Sequence, residues 1–126
     1  MGSLRRLGEG MTAILATLVL SQTRSPQVWH PIPLTVYSDK YHGRGTKSGA
    51  KYDRNKVSFA VPRGLWKRLG NRRIVVRFEG REVEGVVNDT CGPGVQNLDA
   101  SHRAWQILCP NYKPTRIRKG VYWRLK

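Results

Sequence analysis

The chain has 126 residues, with 23 Lys and Arg against 8 Asp and Glu and a formal net charge of +15. That length holds one domain and scarcely two, and an apolar share of 39% provides for a modest core and excludes a polar, disordered chain. The charge favours a polyanionic partner such as an acidic wall polymer or an anionic membrane surface; with no zinc-finger spacing, RNA-recognition signature or helix-turn-helix pattern, a basic nucleic-acid-binding barrel ranks lower.

Residues 1–30 read as a leader and linker. Arg5 and Arg6 precede the apolar run Met11 to Leu20, and "SQTRSPQ" follows. A short basic segment, about ten apolar residues and a polar stretch fit a secretory signal or a signal anchor. The expected location is secreted, periplasmic or cell-envelope associated, with a phage-borne origin as a variant of the same reading. "RSPQVWHPIP" is proline-rich and aperiodic, so it is expected to be extended.

The domain itself spans residues 31–126. It carries 20 basic and 7 acidic residues, so +13 of the charge is spread along it. "PLTVYSD" alternates as a strand should, and "KYHGRGTKSGAKYDRNK" reads as a long polar loop. "VSFAV" is a short apolar strand, and Pro62 opens a short helix that Gly70 ends. "RRIVVRF" and "REVEGVVN" form a hairpin through Glu79-Gly80, and Gly85 marks a bulge or a close backbone approach. "DASHRAWQILCP" predicts a helix capped by Asp99 or Ser101, with Ala104, Trp105 and Leu108 on its apolar stripe and Pro110 as its stop. "NYKPTRIRK" is a basic loop and "GVYWRLK" a final strand. Trp66 and Trp105 are expected in the core. Short strands at this spacing, with two short helices, predict a mostly β fold that closes as a small barrel.

The two cysteines, Cys91 and Cys109, are expected as one disulfide if the chain is exported, worth roughly 3 kcal/mol for a loop of that length. In a reducing compartment they are two thiols. Without a further His or Cys cluster they make no metal site, and no cofactor is expected.

Four stretches in order resemble the rare lipoprotein A-like double-psi β-barrel family: "YHGRGTKSGAKYD", "RRIVVRFEGREVEGVVND", "LDASHRAWQIL" and "GVYWRLK". "NDTCGPG" also has the cysteine seen in barwin and expansin domains, and "NDT…LDASHRAW" is similar to three-aspartate cell-wall domains. The resemblance implies a six-stranded double-psi barrel that binds peptidoglycan or another polysaccharide. It further implies a lytic transglycosylase in which Asp89 is the general acid and base on the glycosidic bond.

Such a reaction needs a carboxyl group with a raised pKa, and Asp99 supplies a second carboxylate if the chemistry is hydrolytic. The duller role for Asp89 is a turn carboxylate that accepts backbone N–H bonds, and for Asp99 a helix cap. Tyr41 and Tyr52, with Tyr37, are candidates for stacking on sugar faces. His42, Arg44, Thr46 and Asp53 in the first loop, and Gly92 after the turn, are the other candidate substrate-binding residues. Asp53 also reads as a loop-ordering residue and His42 as a structural or solvated histidine. Ala50 stands where the family has a glutamate, and no histidine occurs from Val57 to Gly70. Those departures favour the alternative of a non-catalytic, expansin-like binding module.

Overall fold

The computed structural model describes residues 27–126. The signal-like run Met11 to Leu20 therefore lies outside the described residues. The elements in chain order are β1 (His30–Pro31), β2 (Leu34–Val36), a 3₁₀ turn (Asp39–Tyr41), β3 (Ser58–Val61), a 3₁₀ turn (Arg63–Leu65) that runs into α1 (Trp66–Leu69), β4 (Arg73–Phe78), β5 (Arg81–Thr90), β6 (Leu98–Ala100), α2 (His102–Leu108) and β7 (Val121–Leu125).

The strands form one mixed, curled sheet in the order β1-β7-β4-β5-β3-β6-β2. β2 runs parallel to β6 and β3 parallel to β5, while the other neighbours are antiparallel. The curl brings the sheet's two ends together. Leu34 and Arg118 exchange backbone hydrogen bonds of 2.9 and 2.8 Å, and the Ile32 N–H donates to the Val121 carbonyl at 3.1 Å.

Period-two alternation sorts each strand. Leu34, Phe59, Val61, Ile74, Val76, Val87, Leu98 and Trp123 turn inward, and α2 closes over them with Ala104, Trp105 and Leu108. Trp105 is 2% exposed, and its indole N–H donates to the Tyr112 carbonyl at 3.2 Å. Trp66 is half-buried and packs against the edge of this core.

The predicted hairpin is present, with Glu79 at φ 46° and Gly80 at φ 78°. That left-handed pair belongs to the tight turn whose twist matches antiparallel strands. Gly85 is a close approach: a Cβ there would lie 2.7 Å from Val57 Cγ1 and 2.9 Å from Phe59 Cε2. Gly85→Ala is expected to cost about 1–3 kcal/mol by overpacking, read as a lowered midpoint in urea at unchanged slope.

Ser101 is the cap of α2, as one of the two alternatives had it. Its hydroxyl accepts the Ala104 N–H at 3.2 Å and also the Ser58 N–H at 3.1 Å. Asp99 is not a cap, because β6 pairs on both sides and draws it into the sheet.

Candidate functional site

On the outer face of the sheet, four strands place one residue each in a row. Thr35 of β2 is in register with Asp99 of β6, Asp99 with Ala60 of β3, and Ala60 with Asp89 of β5. The two carboxylates thus flank a residue with almost no side chain. A register shift between Phe59 and Ala60 brings Asp89 into this row. Asp89 is the ninth residue of the ten-residue β5 and not part of a turn.

Tyr37 and Tyr52 roof the row. Their rings stack at 4.3 Å, and with Ala60 and Cys91 they form a small buried cluster separate from the main core. The Tyr37 hydroxyl donates to Asp89 Oδ2 at 2.6 Å. Burial, and then the Asp89 carboxylate, push the Tyr37 phenol well above its ordinary pKa. The Tyr52 hydroxyl accepts the His102 N–H at 3.1 Å, and burial raises its pKa as well.

The long loop folds back on itself as a tongue. Gly45 bridges Lys51, and the Gly43 and Tyr52 N–H groups bond across to Tyr52 and Arg44 carbonyls at 2.8 Å. Asp89 docks it: Oδ1 accepts the Lys47 N–H at 2.9 Å, and the neighbouring Ser48 N–H donates to the Asn88 carbonyl at 3.0 Å. Both oxygens of Asp89 are therefore engaged as acceptors within the chain, the duller of its two expected roles, but from a strand.

Asp99 differs. It is half-buried and accepts one side-chain hydrogen bond, from the Thr35 hydroxyl at 3.0 Å. Burial raises its pKa to about 6, the Thr35 bond opposes this, and the charge of Asp89 adds to the rise.

The remaining candidates separate. Tyr41 is exposed and meets Tyr37 edge-on at 6.0 Å, with the Arg44 guanidinium 5.8 Å from its ring centre. Tyr52 is 2% exposed, so its face is closed to any ligand. His42 Nδ1 accepts the Arg54 N–H at 3.1 Å and Asp53 Oδ1 the Asn55 N–H at 2.9 Å, the loop-ordering roles. The Thr46 hydroxyl donates to the Ala50 carbonyl at 2.6 Å. Gly92 stands exposed at the start of the loop into β6. Thr35 and the Lys47 amide were not among the predicted site residues. The alternation "LTVY" already puts Thr35 and Tyr37 on one face, but the partners come from distant strands.

The predicted disulfide is corrected to two free thiols. Cys91 lies under the tyrosines and its thiol donates to the Asn97 carbonyl at 3.2 Å, whereas Cys109 follows α2 in the main core. Burial pushes the Cys91 thiol up to about 12 and the Cys109 thiol to about 11, which keeps both protonated and unreactive at neutral pH. A titration with a thiol reagent is expected to find no rapid reaction in the folded chain and two thiols after denaturation. One or none after denaturation would contradict this.

Among the described residues, no three His, Cys, Asp or Glu side chains come together as metal ligands. No described helix is long and apolar enough to cross a membrane. Two clefts of about 390 and 400 Å³ lie beside α2 and share His102 and Pro114; neither is lined by Asp89 or Asp99.

The chain is similar in fold to Streptomyces papain inhibitor (SPI). The two superpose with a TM-score of 0.63 at 20% identity, over 80% of this chain and 97% of the inhibitor. No family model matches the sequence, and no curated protein does.

These comparisons correct the resemblance to the rare lipoprotein A-like family, and with it the cell-wall and lytic transglycosylase assignments. The solved neighbour is named for inhibiting a protease, which is a protein partner and not a polysaccharide such as peptidoglycan. The local structure agrees with the correction. Ala50 sits exposed on the tongue, and Asp89 is occupied in holding that tongue down.

Proposed function

We propose that this chain is a protein-binding module that inhibits a papain-type cysteine protease. The observation that carries the reading is the superposition on Streptomyces papain inhibitor over nearly the whole of that protein. The geometry of the acidic row supports it. Asp89 serves as an internal latch, Tyr52 is buried, and the exposed features are loops on a sheet, the arrangement by which a preorganised binder limits its ordering cost. The charge of the domain would select, among such proteases, one with an acidic rim, and would speed encounter more than it strengthens the complex.

The test is the rate of papain on a fluorogenic peptide with increasing chain, in about 0.3 M salt so that contact and not long-range charge is read. Inhibition reaching completion near equimolar enzyme is expected. Full activity in large excess of chain would overturn the reading.

We further infer that the curled sheet closes as a six-stranded double-psi barrel. Support comes from residues 30–36, which bond to β7 on one side and β6 on the other, and from the two parallel pairs β2–β6 and β3–β5. Export, expected from residues 1–30, belongs to this proposal and is compatible with two buried thiols that lie in separate clusters.

A second reading keeps acid–base chemistry at the row and is favoured by the raised pKa of Asp99 beside Asp89. In it Asp99 is the proton donor and Asp89 the orienting carboxylate. Loss of an activity on Asp99→Asn, with the fold retained, would support it over inhibition.

A further inference from the structure

We propose that the loop joining β5 to β6 is the segment that enters the protease cleft, with Val95 as its apolar anchor. This rests on the inhibitor reading above and names the surface that reading leaves open.

The loop is held at both ends. The Cys91 N–H donates to the Val61 carbonyl at 2.9 Å and the Leu98 N–H to the Pro33 carbonyl at 2.8 Å. The Cys91 thiol closes the mouth by donating to the Asn97 carbonyl at 3.2 Å. Inside, the Val95 N–H donates to the Gly92 carbonyl at 3.2 Å, and Gly94 turns the chain at φ +76°. Pro93 fixes one further dihedral. A loop so constrained gives up little freedom on binding.

Its surface suits a narrow cleft. A Cβ on Gly94 would meet nothing within 4 Å, and one on Gly92 only Val95 itself, at 3.9 Å. The backbone is therefore bare along the turn that leads into a valine that is 36% exposed. A protease cleft reads an inserted loop with side-chain pockets, and a preformed turn presents its apolar side chain to such a pocket without further ordering. The other exposed apolar side chains lack this setting. Val28 lies in the irregular segment before β1, Tyr41 is flanked by the cations of Lys40 and Arg44, Ile117 lies in a cationic loop, and Tyr122 lies on the face of the sheet.

The free thiol acquires a role here. Cys91 is the residue that closes the mouth of the loop, from beneath the roof formed by Tyr37 and Tyr52.

The experiment compares the full chain with Val95→Asp, Val95→Ala and Ile117→Asp as inhibitors of papain. Thermal unfolding of each variant is recorded beside its inhibition. Val95→Asp is expected to raise the inhibition constant at least about tenfold and Val95→Ala by less, with Ile117→Asp within about twofold of the native chain. Native-like inhibition by a folded Val95→Asp would overturn the loop assignment and leave the inhibitor reading standing. Failure of the native chain itself to inhibit or bind papain would remove both.

Discussion

Replacing Asp99 with asparagine is expected to stabilise the protein at neutral pH by about 2 kcal/mol, a gain absent near pH 4. The native carboxyl titrates near 6, above its ordinary value, because burial and Asp89 both disfavour its charge. The folded chain therefore holds the Asp99 proton more tightly than the unfolded chain does. Between pH 4 and 6 the folded state binds more protons, so stability falls as pH rises through that window and levels above it. Asparagine cannot ionise, and its carbonyl keeps the Thr35 hydrogen bond. Urea unfolding at pH 4.5 and pH 7 checks this. Equal differences between native and variant at the two values would contradict it.

Asp89→Ala is expected to act in the opposite direction, at a cost of about 2–4 kcal/mol. Two hydrogen bonds to a charged acceptor are lost, and the Tyr37 hydroxyl is left without its partner in a buried position. Relief of the repulsion on Asp99 offsets part of this, which keeps the loss below the sum of the two bonds. The effect should be local as well as global. With its latch gone the tongue opens, and the Lys47 amide is expected to exchange with solvent at least about tenfold faster than in the native chain. Unchanged protection at Lys47 would show that Asp89 does not hold the tongue. The pair of variants separates the two acids: one carboxylate is a cost to the fold and its neighbour a support.

The pattern of the sequence made the local features legible and left the contacts between distant strands hidden. Glu79-Gly80 announced the hairpin, and Asp99 or Ser101 the helix cap, because each depends on neighbours in the chain. Gly85 signalled a bulge or a close approach, but the Val57 and Phe59 side chains it meets come from a distant segment. Asp89 looked like a turn residue because glycine and proline follow closely. Pairing with β3 out to Val61 instead carries the strand past it to Thr90. Asp99 looked like a cap because a helix begins three residues later. It is held in β6 by β2 on one side and β3 on the other, strands that lie about forty to sixty positions away in the chain. The tongue read as a loop of ligands for a substrate. Its contacts show loop-ordering work at His42, Thr46 and Asp53, while Tyr41 and Arg44 stay exposed.

The outer face of β4 and β7 adds another case of a contact between distant segments. Trp29 packs against the Arg77 and Arg124 guanidinium groups, 4.1 and 5.2 Å from its ring centre. This pins the described start of the chain to the sheet, and Trp29→Ala is expected to cost about 1–2 kcal/mol by loss of stacking and area. Its check is the same urea titration, where a variant within error of native would contradict the contact.

The inhibitor proposal requires the chain to occupy the cleft of a papain-type protease. Calorimetric titration of the chain into papain, with and without a small alkylating inhibitor on the enzyme's thiol, decides it. Saturation at one chain per free enzyme, abolished on the blocked enzyme, is the predicted result. No heat with either form, or equal binding to both, would contradict it.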